Sequence, residues 1–219
     1  MTTLLKLEDL NVSFATPRGA LKAVRNVTIE LGAGESLGVV GESGSGKTVL
    51  SRATMGLLPS TATRTGAIVY QGEDISGWPS DKVRELWGVG MAMIFQDPMT
   101  ALNPVRRIGA QVTESLTVRL GMDKKAAKAR AIELLKRVRI PDPEGMLRKF
   151  PYQLSGGMRQ RIMIAIAVSC NPELLFADEP TTALDVTVQA QVLELLDELR
   201  KEYNTAMILV THEIGRAHV

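Results

Sequence analysis

Hydrophobic and polar positions follow two rhythms along this chain. Residues 4–14, LLKLEDLNVSF, alternate closely enough to predict a strand at a sheet edge. Thr16-Pro17-Arg18-Gly19 carries turn chemistry, and Leu21 to Leu31 reads as a second strand, so an antiparallel sheet is expected near the N-terminus. GAIVYQGEDI, residues 66–75, predicts a further short strand and turn. Short, nearly unbroken apolar runs occur at Ser36–Val40, Val89–Phe95, Glu173–Ala177 and Ala206–Val210. The last three suit strands of a parallel sheet that are buried on both faces. Helical spacing marks Thr48–Met55, Asp81–Trp87 with Ser80 or Asp81 as cap, Gly109–Leu120 and Asp123–Val138 with Asp123 as N-cap. Two more helices run from Leu154–Gly157 to about Cys170 and over Val186–Tyr203, and Pro141-Asp142-Pro143 breaks the chain between helices. Alternating strands and helices predict an α/β fold with a parallel core, into which a helix-rich stretch is inserted.

Composition narrows the partners. The 219 residues are 45% hydrophobic and 23% charged, as in an ordinary globular domain. A net charge of +2 and 4% aromatic residues give no sign of a nucleic-acid partner. The single cysteine, Cys170, excludes an intramolecular disulfide, and its place at the end of an apolar helix suits a small core residue. The N-terminus lacks a signal peptide pattern, and no run approaches the ~20 apolar residues that span a bilayer. Membrane association is therefore expected through a partner. The Lys and Arg residues of 123–138 read as a solvated face, and His218 has no motif context.

Chemistry enters at GESGSGKT, Gly41 to Thr48, which fits the phosphate-binding pattern G-x-x-x-x-G-K-[ST] between a strand and a helix. Gly41, Gly44 and Gly46 let the backbone curl so that successive N–H groups, with those of Glu42, Ser43 and Ser45, face phosphate oxygens. The helix N-terminus adds partial positive charge. Lys47 brings a full charge to the β- and γ-phosphates, and the Thr48 hydroxyl suits Mg²⁺. Gln96, Asp178, Glu179 and His212 each follow an apolar strand. Ligands of open parallel sheets sit at the carboxyl ends of the strands, so these side chains are expected to converge on the phosphates. Asp178 is placed to hold Mg²⁺, and Glu179 to polarise a water for attack on phosphorus. Phe14 reads equally well as a core residue and as an aromatic face for adenine.

Leu154-Ser155-Gly156-Gly157-Met158-Arg159-Gln160-Arg161 resembles the signature motif of ABC-type ATPases. It stands in the expected order with GESGSGKT, Gln96, LLFADEP (174–180), the Ala183-Leu184-Asp185 turn and His212. The resemblance covers about residues 3 to 212. It implies a P-loop NTPase core with a parallel sheet, an N-terminal antiparallel β subdomain and an inserted α-helical subdomain. Residues 1–96 and 171–212 would form the nucleotide core with its β subdomain, and 97–170 the helical subdomain. In this family two ATPase domains face each other head to tail, each signature loop closing over ATP on the other. Ser155, Gly156, Gly157 and the helix they open would form a second anion cradle. By position, Gln96 would sense Mg²⁺ and the attacking water, Glu179 would be general base, Asp185 would bridge the dimer, His212 would hold the γ-phosphate and Phe14 would stack on adenine.

IFQDPMTALNP (94–104), GLLPS (56–60) and PTTALDVTVQAQVLELL (180–196) further resemble the ATP-binding subunits of dipeptide, oligopeptide and nickel importers, the "D" type more than the "F" type. That likeness implies a paralogous second ATPase, two membrane permease subunits with Asp97–Arg107 near their coupling helices, an extracytoplasmic solute-binding protein, and a place on the cytoplasmic face of a bacterial or archaeal membrane. The family pattern continues past His212, whereas this sequence departs from it at Glu213. The expectation is a domain incomplete at its C-terminus, with 213–219 a non-native tail. Two other readings are a soluble ABC ATPase without a transport role, for which no zinc module, basic linker or second ATPase domain is visible, and a fragment without activity.

Overall fold

The computed structural model describes residues 2–182 and 184–212. Segment 213–219, and Ala183 of the Ala183–Asp185 turn, lie outside the described residues. Strands β1 (Thr3–Thr16) and β2 (Gly19–Gly32) form a long hairpin. After β3 (Ser36–Val40) and helix α1 (Lys47–Thr54), β4 (Ala62–Tyr70) pairs with the other side of β1, and the short β5 (Glu73–Asp74) pairs with β4. This antiparallel sheet has the order β2-β1-β4-β5.

The strand over residues 4–14 is thus not an edge strand. It lies inside its sheet, and β2 and β5 are the edges. Its alternation is interrupted where Asp9 (φ 46°) makes a bulge opposite Thr28 and shifts the register between Leu7 and Leu10, and Asn26 (φ 46°) of β2 lies at the next shift, between Leu10 and Val12. Leu4, Leu5, Leu7, Leu10 and Val12 still reach the core.

Helix α2 (Ser80–Glu85) is capped neither by Ser80 nor by Asp81. Pro79 holds the N-cap position in extended conformation without a side-chain bond, and Ser80 and Asp81 are already helical. Pro at this place presets the chain direction into the first turn. Next come β6 (Met91–Ile94), α3 (Pro98–Ala101), α4 (Ile108–Leu120), α5 (Lys124–Arg137), α6 (Pro143–Met146), a 3₁₀ turn (Pro151–Gln153) and α7 (Gly156–Ala167). Asp123 caps α5 as expected, accepting from the Lys125 and Ala126 amides. The chain then forms β7 (Leu174–Asp178), α8 (Val186–Tyr203) and β8 (Ala206–Thr211). No described helix is long and apolar enough to cross a membrane.

The second sheet is all parallel, with the order β3-β8-β7-β6. Its strands separate two cores. Ala92, Ile94, Leu175, Ala177, Met207 and Leu209 face α4, α5, α7 and α8. Met91, Met93, Leu174, Phe176, Ala206 and Ile208 face the antiparallel sheet and α1. Successive strand residues point to opposite faces, so an unbroken apolar run serves both cores at once. The helices between β6 and β7 share a single apolar cluster with the sheet. Ion pairs from Arg137 to Glu202, and from Arg139 to Glu194 and Glu198, tie this region to α8.

Candidate functional site

The loop Gly41–Ser45 turns from β3 into α1, whose N-cap is Gly46. Gly44 (φ 81°) and Gly46 (φ 96°) hold left-handed backbone. At Gly46 a side chain is also excluded by space, because a Cβ would stand 2.1 Å from the Ala23 carbonyl oxygen of β2. At Gly41 the constraint is contact alone, a Cβ lying 2.9 Å from Ser45 Oγ. Lys47 is buried at 7% exposure, and its Nζ donates to the carbonyls of Gly41 (2.6 Å) and Glu42 (2.8 Å). Ser45 N donates to Glu42 O, closing the loop on itself, while Ser43 stays exposed.

Behind the loop lie the ends of β6, β7 and β8. Asp178, the last residue of β7, is 2% exposed and accepts a 3.0 Å bond from the Thr48 hydroxyl. Burial pushes its carboxyl above the usual range; the Thr48 hydroxyl opposes this and the Glu179 charge adds to it. Glu179 follows with φ 46°, unusual for a glutamate, while its N–H still donates to Val210 O of β8. Its carboxylate, 6% exposed, gathers four partners. Oε1 faces His212 Nε2 and, at 4.0 Å, Lys47 Nζ. Oε2 accepts from Gln96 Nε2 at 2.7 Å and from Thr182 Oγ1 at 3.0 Å. The other ring nitrogen of His212 lies 3.3 Å from Gly41 O. One carboxylate therefore joins the phosphate loop, the end of β6 and the end of β8. The structure brings together Lys47, Thr48, Gln96, Asp178, Glu179 and His212.

It does not bring the signature segment to them. Ser155 is the N-cap of α7, its hydroxyl accepting from Met158 N at 3.3 Å. Cβ atoms built on Gly156 and Gly157 would meet Leu184 and Val188, beside the start of α8. There Asp185 is itself an N-cap, accepting from Val188 N at 3.0 Å. Two helix N-termini, rich in free N–H groups, thus sit side by side away from the phosphate loop. Phe14 pairs with Leu21 and Ala62 and packs half-buried against the core of the antiparallel sheet. A cleft of about 670 Å³ beside the loop is walled instead by Leu21, Lys22 and Arg25 of β2, with Gly44–Lys47. Those three β2 residues were not singled out from the sequence, and neither was Thr182. The signal for the former was the pairing of Leu21 opposite Phe14 across the hairpin. Thr182 had no signal beyond lying three residues after Glu179.

Known proteins resemble the chain along most of its length. The family described as ABC transporter matches residues 24–182. The oligopeptide transport ATP-binding protein OppD of Bacillus subtilis is 48% identical over 98% of the chain and 61% of its own length. OppD of Salmonella typhimurium is 48% identical over 97% of the chain and 63% of its own length. The chain thus spans less than two thirds of these relatives. A solved dimer of the ATP-binding cassette MJ0796, described as a post-hydrolysis state bound to ADP and Pi, superposes with a TM-score of 0.87 at 26% identity, covering 98% of this chain and 90% of that one. With the family model matched over most of the chain and relatives at this identity, the chain belongs to the ABC transporter family.

Proposed function

We propose that the chain is the ATP-binding and hydrolysing part of a subunit that powers peptide import across the cytoplasmic membrane. The observation that carries this is the convergence on Glu179 of Lys47, Gln96 and His212, with Asp178 and Thr48 beside it. The phosphate loop and the α1 N-terminus would bind the β- and γ-phosphates of ATP, Lys47 exchanging its carbonyl partners for phosphate oxygens. Glu179 would take the proton of a water as its oxygen bonds to the γ-phosphorus; the bond to the bridging oxygen breaks and ADP leaves with that electron pair. The Thr48 hydroxyl and the Asp178 carboxylate are adjacent hard oxygen donors, a set that fits Mg²⁺, and Gln96 has an amide oxygen to add. The ion would screen the phosphate charge. Asp178 and Glu179, side by side with one carboxyl already pushed up, gain from a cation there.

Ser155, Gly156 and Gly157 would hold the γ-phosphate of ATP on a second ATPase subunit, head to tail, with Asp185 at the junction. The separation of the signature turn from the chain's own phosphate loop and the dimeric MJ0796 neighbour support this reading. Peptide as cargo is supported by the OppD relatives and by the dipeptide transport protein DppD of Haemophilus influenzae, 49% identical over 97% of the chain. Permease subunits, an extracytoplasmic solute-binding protein and a peripheral position on the cytoplasmic face follow from the same reading. The test is Glu179→Gln in the full-length protein. Hydrolysis stops and ATP accumulates in a stable dimer, seen by size exclusion with bound-nucleotide analysis. Unchanged turnover removes Glu179 from its role, and isolation without any permease favours a soluble ABC ATPase.

A further inference from the structure

We propose that Thr182 is a positioning residue that keeps the Glu179 carboxylate aimed while its other partners change; this rests on the ATPase reading of the site. Glu179 stands on left-handed backbone (φ 46°), so its side chain is not directed by a regular strand. Of its four partners, Lys47, Gln96 and His212 belong to three different elements, and each has work to do with nucleotide or metal. With phosphate bound, Lys47 and His212 would turn to it, and Gln96 would be drawn to the metal and water. Among the described partners, Thr182 alone lies on the turn that carries Glu179 itself.

That turn is built to hold. Thr182 N donates to Glu179 O at 3.2 Å, and the hydroxyl reaches Glu179 Oε2 at 3.0 Å and Glu179 O at 3.2 Å. One hydroxyl proton serves both acceptors, and the charged one draws it more strongly. The turn is in turn fastened to α8, where Gln189 Nε2 donates to the carbonyls of Thr181 (3.1 Å) and Leu184 (2.9 Å). With Oε2 held by Thr182, Oε1 is the oxygen left for the proton of the attacking water. Once His212 and Lys47 have turned to phosphate, the carboxylate would be anchored at one oxygen and open at the other, its orientation fixed without consuming its basic site.

The test compares Thr182→Val, which keeps the shape and removes the donor, with Thr182→Ser, which keeps the donor, both in the full-length protein. Steady-state hydrolysis of Mg-ATP and binding of ADP are measured for each, with thermal unfolding as the check on folding. The expected result for Thr182→Val is a kcat lower by about tenfold or more, the scale of a misdirected catalytic group. Its KM and ADP affinity stay within about twofold of wild type, since only transition-state alignment is lost. Thr182→Ser restores kcat to within about threefold. A Thr182→Val enzyme as fast as wild type overturns the proposal. So does a slow enzyme that Ser fails to restore, or one whose ADP affinity and folding fall along with its rate. If Thr182→Val does not fold, Thr182→Ser and Thr182→Ala decide in its place, Ser keeping and Ala losing the rate at unchanged ADP affinity. A wild-type protein that neither binds ADP nor hydrolyses ATP would overturn the ATPase reading and the Thr182 role with it.

Discussion

A single methyl group measures how tightly the phosphate loop is held. Gly46 combines φ 96° with a neighbour, the Ala23 carbonyl, that a Cβ would approach to 2.1 Å. Gly46→Ala is expected to destabilise the fold by about 1–3 kcal/mol through backbone strain, with further loss as β2 is pushed off the loop. Thermal unfolding checks it, at roughly 2–4 °C per kcal/mol for a chain of this size. Lys47→Ala removes a buried charge and its charge-assisted bonds, each worth about 1.5–3 kcal/mol. ADP affinity should fall by about 10–100-fold for one such bond, read by calorimetric titration. Asp178 gives a prediction with a sign. Its carboxyl is raised in the fold, chiefly by burial, so its contribution to stability is present below the ordinary carboxylate range and lost as pH rises through the raised value. At neutral pH without metal the ionised form is a cost. Asp178→Asn, able to keep the Thr48 bond, should therefore raise the unfolding midpoint at pH 7 and lose that advantage at acid pH. The loop was legible because its residues are contiguous. Among the partners of Glu179, Lys47 was legible through the loop motif, Gln96 and His212 only as polar stops after apolar strands, and Thr182 not at all, for Gln96 is 83 positions away and no local pattern links it to Glu179.

At the scale of elements, the caps decide what the helices can do. Asp185 begins the 18-residue α8 and spends one oxygen on Val188 N. Asp185→Ala should cost about 1 kcal/mol of stability, as N-cap deletions do, read as a lower urea midpoint at constant slope. Asp123 was recognisable as a cap from the sequence because a short polar side chain before a periodic run has one local use, whereas the capping by Ser155 and Asp185 was not read there. The cap of α2 was not, since Pro79 works through its fixed backbone rather than through a side-chain bond. Nor was the position of β1. Alternation shows which face is buried but not how many neighbours a strand has, and β4, the second neighbour, arrives nearly 50 residues after β1 ends, beyond any local pattern.

For the whole molecule, sequence rhythm foretold an α/β core, an antiparallel N-terminal sheet and a helical stretch. It foretold β6, β7 and β8 as buried on both faces but not which core each residue serves, while β3, at the sheet edge, leaves Ser36, Gly38 and Val40 exposed. That division depends on register, and register appears only when the strands are laid together. It has a consequence for how the chain melts. Met91, Met93, Leu174, Phe176, Ala206 and Ile208 belong to one apolar cluster, while Ala92, Ile94, Leu175, Ala177, Met207 and Leu209, interleaved with them, belong to the other. Neither cluster can disperse without dismantling the wall that the other leans on. The two halves should then share a single heat-absorption peak, with calorimetric and van't Hoff enthalpies equal, rather than melting in sequence as independent bodies do. Cooperativity of this kind is a property of three short strands read at alternate residues.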